Sequence, residues 1–229
     1  MNYKNVKIIA VARHPETVPS ADNIYPFAAD LSEKEGIDSL FNFAEKSVGT
    51  IHLFIANAGF AYLERLYIPD MFHIEKIYAL NVFSQIYALE KLTNRQQPEK
   101  IMFVSVISGA GVVSLPGYSL YCSTKAALHH FFQTYRYEQH QNLHIMKVYP
   151  VATKTDFFDK AAGKKNTPMP WPAQNVQTVA KKIIVGIQKE KKKVYPSLLF
   201  RLFYPLGRTF PILLHLYSLL EKRKIKDVL

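Results

Sequence analysis

A chain of 229 residues that is 48% apolar can fill one sizeable core, and its formal charge of +11 comes from 29 Lys and Arg against 18 Asp and Glu. The single cysteine, Cys122, excludes a disulfide framework, and no Cys/His spacing suits a metal ion, so no metal is expected and a reducing, cytoplasmic setting is. Met1-Asn2-Tyr3-Lys4-Asn5 lacks the charged-then-apolar pattern of a leader peptide.

Residues 6–13, Val-Lys-Ile-Ile-Ala-Val-Ala-Arg, form the first strand-like run. A short strand is expected near 23–28, a helix near 33–48, a strand over 51–57 and a long helix from about Pro69 to Asn94. The apolar run 101–107 reads as a buried parallel strand, followed by an amphipathic helix from Tyr121 to about Glu138 and a strand over 143–149. Strands alternating with helices predict one α/β domain with a doubly wound (Rossmann-like), mostly parallel sheet covered on both faces. Residues 1–196 make that core, and residues 197–229 are a basic, apolar C-terminal extension of the same domain.

Three side chains in this layout can do alcohol–carbonyl chemistry. Ser108 lies thirteen residues before Tyr121, and Lys125 lies four after it. Residues four apart share a helix face, so the Lys125 ammonium can stand beside the Tyr121 phenol and lower its pKa. A phenol poised in that way works as a general acid or base near neutral pH. Ser108 would emerge at the carboxyl edge of the sheet, where open α/β folds bind ligands.

In this order the residues resemble the short-chain dehydrogenase/reductase family. Its Ser and Tyr-x-x-x-Lys signature falls on Ser108, Tyr121 and Lys125, and its Asn-Ala-Gly turn falls on Asn57-Ala58-Gly59. The family's helix Asn matches Asn81 in Ala79-Leu80-Asn81-Val82, and the acid near the adenine matches Asp30. The segment Pro150-Val151-Ala152-Thr153-Lys154-Thr155 matches a Pro-Gly-x-x-x-Thr contact to the nicotinamide amide and phosphate, with Val151 in place of the Gly. A plain strand-to-helix turn capped by Thr155 explains the same residues.

The resemblance implies that Tyr121 gives or takes the hydroxyl proton and Lys125 lowers its pKa and holds the nicotinamide ribose. It also implies that Ser108 binds the substrate oxygen and Asn81 anchors a relay water. Cofactor contacts would come from Arg13, Asp30, Asn57, Ala58, Gly59, Tyr121, Lys125, Pro150 and Thr155. Ala12-Arg13-His14 carries no acid where NAD-selective dehydrogenases place one, so NADP is favoured over NAD, with a plain surface Arg as the other explanation. The substrate would be an apolar carbonyl or alcohol, and a homo-oligomer is expected.

One family feature has no counterpart. The glycine-rich turn Thr-Gly-x-x-x-Gly-x-Gly, which brings backbone up to a pyrophosphate at a helix N-terminus, does not occur in the chain. Residues 6–13 match the family's second strand, so the fold is expected to be N-terminally incomplete, a truncated or mis-started form or a member adapted to the loss. The second and third strands would then leave buried, unpaired edges. A different class of function stays open beside the enzyme: a non-catalytic fold remnant or interaction module that no longer holds a dinucleotide.

Two segments remain. The loop 155–175 carries Phe157, Phe158, Met169 and Trp171, which can form an apolar lid over the nicotinamide or pack in the core, while Lys164 and Lys165 mark a solvated tip. Residues 181–226 hold 12 Lys or Arg against Glu190 and Glu221, around two apolar runs broken by Pro205 and Pro211. Those breaks argue against a spanning helix. They leave a membrane-surface anchor, a dimerisation or substrate-covering tail, or core packing. The tail contains no recognisable nucleic-acid module, so no nucleic-acid partner is expected.

Overall fold

The computed structural model describes residues 6–68, 70–94, 99–226 and 228; the N-terminal pentapeptide and Pro69, the expected start of the long helix, lie outside them. In chain order the elements are β1 (Ile8–Ala12), β2 (Ile24–Ala28), α1 (Lys34–Ser47) and β3 (Leu53–Ala56). A long helical run follows as α2 (Met71–Tyr78), a π-helical turn (Ala79–Phe83) and α3 (Ser84–Thr93). Then come β4 (Ile101–Val106), α4 (Ser119–Tyr135), β5 (Leu143–Val148), β6 (Ala152–Thr153) and α5 (Phe157–Ala162). The chain closes with β7 (Ala173–Gln174), α6 (Val176–Gln188), β8 (Lys193–Val194), α7 (Leu198–Thr209) and α8 (Pro211–Lys224).

The strands pair in parallel, giving the expected α/β architecture with a sheet of order β3-β4-β5-β8. Alternation along β4 sorts its side chains between two helical layers. Phe103 joins Phe41 of α1, Leu89 and Leu92 of α3 and Leu128 and Phe132 of α4 on one face. Val104 joins Met146, Val148 and Val194 on the other, under Ile183 and Ile187 of α6. A column of rings, Phe41, Phe54, Phe103 and Phe132, at successive centroid distances of 5.8, 5.5 and 5.8 Å, runs through α1, β3, β4 and α4. Helix starts follow local rules: Asp70 Oδ1 accepts from His73 N at 3.0 Å, Ser197 Oγ accepts from Phe200 N at 3.2 Å, and Pro211 opens α8 where its missing N–H is not needed.

β1 and β2 form a separate two-stranded sheet. Among the described residues β1 and β3 do not pair with each other; Ile8, Leu53 and Ile55 are exposed, the other residues of β1 are half-buried, and Ala56 of β3 is buried. Two strands alone are marginal in water, and this ribbon is anchored to the core through contacts such as Phe27 stacked on Phe43 of α1 at 4.7 Å. Hydrogen exchange is expected to show β1 and β2 amides opening well before those of β4 and β5. Equal protection in both sheets would contradict the separation.

A second feature of the fold sets a pH dependence. Lys147 of β5 is buried, donates only a long 3.4 Å bond to Phe132 O, and faces Lys193 and Arg136, so burial pushes its pKa down to about 8. Between about pH 8 and the ordinary lysine value the unfolded chain holds more protons at this position than the folded one, so stability from this group rises with pH across that window. Lys147→Met is expected to stabilise the fold at pH 7 by about 1–3 kcal/mol and to lose that advantage as pH approaches 10. Thermal melts of both proteins from pH 7 to 10 measure it, and a gap that stays constant would contradict the account.

Candidate active site

The carboxyl ends of β1, β2, β3, β4 and β5 deliver Arg13, Asp30, Asn57, Ser108 and Pro150 in turn, since the strands of each sheet run parallel. Ser108 ends β4 with φ 97° and ψ 153°, a conformation that costs a non-glycine residue about 1–3 kcal/mol. Neighbouring backbone holds it there: Ser108 N donates to Val148 O at 3.3 Å and Gly109 N to Pro150 O at 2.7 Å. Its Oγ accepts from Ala110 N at 3.2 Å, and Ser108 and Tyr121 line the same cavity, close enough for Ser108 to oppose the rise of the phenol pKa.

Tyr121 lies in the first turn of α4, with the Phe157 ring edge-on at 5.5 Å. Lys125, one turn later, has its Nζ 5.7 Å from the Tyr121 ring centroid. The sequence-based expectation was a phenol pKa lowered by that ammonium. Instead, burial pushes the Tyr121 pKa up to about 12, opposed only in part by Ser108, and burial pushes Lys125 down to about 8. Desolvation is the largest cause at both groups, and the Lys125 ammonium lies over the ring, 5.7 Å from its centroid. At neutral pH the phenol carries its proton.

Lys125 is 3% exposed, and among the described residues its Nζ has one acceptor, Val106 O at 3.0 Å. Two of its three N–H groups are thus left for a ligand. Gly59 abuts it: a Cβ there would stand 3.0 Å from Asn81 Oδ1 and 3.5 Å from Lys125 Nζ. Asn81 is fully buried in the π-helical turn. Its Nδ2 donates to Phe60 O at 2.9 Å and to Thr124 Oγ1 at 3.1 Å, and its Oδ1 accepts from Phe60 N at 3.0 Å. One amide thereby fixes the segment after Asn57-Ala58-Gly59 against the residue before Lys125. The Gly111 backbone packs equally close, a Cβ there meeting Lys125 O at 2.7 Å.

This donor set fits the ribose and nicotinamide side of a dinucleotide: a buried ammonium with unspent donors and a turn too tight for a side chain. Asp30 and Arg13 are exposed near each other, and Asp30 is held below the usual carboxylate range first by its hydrogen bond from Ser32 Oγ at 2.6 Å and also by the Arg13 charge. Asn57 and Ala58 are exposed just past β3. Thr155 Oγ1 accepts from Phe157 N at 3.3 Å, the capping role that its position at the start of α5 allows. No residue of the chain supplies a glycine-rich turn for a pyrophosphate. Among the described residues no cluster of His, Cys, Asp or Glu could hold a metal ion.

Above the Ser108–Tyr121 pair lies a cavity of about 440 Å³. Its walls come from the turn after Ser108, from Val151, from Pro170-Trp171-Pro172 and from Leu199, Leu202, Phe203 and Leu206 of α7, with Tyr217 of α8. Of the four loop residues singled out by sequence, Trp171 lines the cavity, Phe157 meets the Tyr121 ring edge-on, Phe158 packs with Tyr118 in the core, and Met169 is outside the cavity lining. Glu221, buried on α8, accepts from Trp171 N at 3.2 Å and from Lys224 Nζ at 2.7 Å, fixing the Trp171 segment. The contribution of α7 was legible only as an apolar tail, because no motif marks a residue as cavity wall. Cys122 is half-buried with its thiol toward Leu115 O, and burial raises its pKa, so it behaves as a packing residue.

Comparison with known proteins agrees with this geometry. Human estradiol 17-beta-dehydrogenase 11 is 26% identical over 176 residues, covering 75% of this chain and 57% of that protein. The NADPH-dependent 1-acyldihydroxyacetone phosphate reductase of Saccharomyces cerevisiae is 28% identical over 142 residues, 61% of this chain and 48% of that protein. The chain thus spans about half the length of these relatives. Among solved structures, a short chain dehydrogenase from Burkholderia cenocepacia in complex with NADP superposes with a TM-score of 0.77 at 18% identity, over 93% of this chain and 86% of that one. One from Sphingobium yanoikuyae in complex with NADPH gives 0.75 at 20%, over 90% and 85%. Residues 1–166 match the model of the short chain dehydrogenase family, and the chain belongs to that family.

Proposed function

We propose that this chain is an oxidoreductase that interconverts an apolar carbonyl compound and its alcohol with NADP(H). The observation that carries the reading is that the Ser108 and Tyr121 hydroxyl residues line one apolar cavity, one helical turn from a buried lysine. When bound, the nicotinamide supplies or accepts the hydride at the carbonyl carbon. Ser108 holds the substrate oxygen, and Tyr121 donates its phenolic proton to that oxygen in reduction and recovers one from solvent. Lys125 offers its two unspent N–H groups to the nicotinamide ribose and stabilises the phenolate left behind, and Asn81 is a positioning residue that fixes the Gly59 turn against α4.

NADP rather than NAD is supported by Arg13 beyond β1, with no acid beside it in the chain and with Asp30 close enough to sense its charge. Contacts from Asn57, Ala58, Gly59, Pro150 and Thr155 complete the nicotinamide side. The setting we propose is cytoplasmic. Exposed Met71, Phe72 and Phe83 on the α2 and π-helical run support a homo-oligomer through that face. One observation favours a second reading, a remnant or interaction module without dinucleotide binding: the chain contains no glycine-rich turn, and β1–β2 stands apart from the main sheet.

Fluorescence titration of the 229 residues with NADPH separates these readings. The oxidoreductase reading predicts binding weaker than micromolar, because only the ribose and nicotinamide side is held, together with measurable turnover of an apolar ketone at millimolar NADPH. No turnover at any concentration would support the remnant. Tyr121→Phe is expected to lower turnover by about 10²–10⁴ at millimolar NADPH while leaving cofactor affinity unchanged. Near-normal turnover in that variant would show Tyr121 to be structural. Arg13→Asp should reduce the preference for NADPH over NADH by about tenfold, roughly 1.4 kcal/mol, and an unchanged ratio would show Arg13 to be ordinary surface.

A further inference from the structure

Helices α7 and α8 form a hairpin with two different faces. The inner face is packed: Phe200 reaches Tyr195 and Tyr204, Phe203 meets Tyr217 at 6.4 Å, and Gly207 lets Leu214 approach so closely that a Cβ would stand 2.5 Å from it. The outer face is apolar as well. Leu198, Leu202 and Leu206 recur every four residues along α7, and Ile212, Leu216 and Leu220 do the same along α8; all six are between 50% and 63% exposed. Such an outward stripe has no packing role within the chain, and a solvated helix would place polar residues there.

Two of those leucines, Leu202 and Leu206, also line the cavity above Tyr121. Trp171, another of its lining residues, is 59% exposed. The rim of the catalytic cavity and the outward apolar stripe are therefore parts of one surface. Around it the charge is of one sign: Arg201 and Arg208 on α7 and Lys222, Arg223 and Lys224 in the last turn of α8 are exposed, within a stretch holding 12 Lys or Arg against two acids. No described helix is long and apolar enough to cross a membrane, and α7 and α8 have 12 and 14 residues.

We infer that the α7–α8 hairpin lies on the surface of an anionic lipid bilayer, with its leucine stripe in the acyl boundary and its arginines and lysines at the headgroups, so that the cavity takes a long-chain ketone or alcohol directly from the bilayer. Short amphipathic helices with basic flanks bind in this way, through buried apolar area together with attraction to anionic lipids. A second copy of the chain suits the stripe poorly, because pairing two such faces would bring like charges together. The location of the hairpin is independent of catalysis, but the substrate class rests on the oxidoreductase reading above.

Flotation with liposomes tests the location without any turnover. The 229-residue chain is expected to float with vesicles of phosphatidylcholine containing phosphatidylserine and far less with pure phosphatidylcholine. Raising salt should weaken flotation, because headgroup attraction is screened over about 8 Å at physiological ionic strength. A triple variant, Leu198→Gln, Ile212→Gln and Leu216→Gln, avoids the cavity lining and should float at least tenfold less while keeping the same thermal melt and the same mass by light scattering. Wild-type protein that does not float, or a variant whose mass falls to half, would overturn the inference, the latter by showing that a second copy covers the stripe. Tyr121→Phe should float like wild type, so loss of activity and loss of docking are read separately. Wild-type turnover of a long-chain ketone should rise severalfold when the ketone is presented in phosphatidylserine vesicles instead of detergent. An equal rate in both would overturn the proposed route from the bilayer.

Discussion

Burial of the Lys125 ammonium is the constraint around which the site is arranged. A charged group that is 3% exposed and has a single acceptor among the described residues is costly unless something else completes its shell. The structure keeps it there by several close approaches: Gly111 against its carbonyl, Gly59 against its Nζ, and the Asn81 amide tying Phe60 to Thr124. None of these contacts would survive a shift of α4 along β4. The position of Tyr121, one turn earlier, follows from the same packing, and the strained Ser108 lines the same cavity.

A second consequence of burial is the protonation state. The sequence points to a lysine lowering a tyrosine pKa, a pairwise argument between two charges in a polar setting. In the folded chain both groups leave water together, and desolvation moves each toward its neutral form, the tyrosine to about 12 and the lysine to about 8. At neutral pH the resulting pair is a protonated phenol beside an ammonium. The cavity that Tyr121 lines is walled on one side by apolar residues of α7.

Much of this was legible in the chain because periodicity and spacing are local. The buried run is β4, the i,i+4 pair Tyr121–Lys125 lies in α4, and the Asn57-Ala58-Gly59 turn follows the end of β3, as the alternation of elements requires. The helix expected from Pro69 to Asn94 is present from Met71 to Thr93, but its π-helical turn, which buries Asn81, has no composition signal. Likewise, Pro205 and Pro211 marked the tail as broken without showing that one proline lies within α7 and the other opens α8. Whether Trp171, Met169 or Leu202 faces the cavity depends on loop paths and helix docking, which are long-range contacts that no motif encodes. The separation of β1–β2 from the main sheet follows from the strand content of these residues, whereas the exposure of Ile8 is a property of the packing.

The claim at the centre of this account is that Tyr121 and its neighbours direct hydride chemistry at an apolar carbonyl. Mass spectrometry of the product formed from an apolar ketone and millimolar NADPH deuterated at C4 of the nicotinamide tests it most directly. The account predicts an alcohol carrying one deuterium on the carbinol carbon, with the hydroxyl proton taken from solvent. An alcohol whose carbinol carbon takes its hydrogen from solvent instead would contradict it.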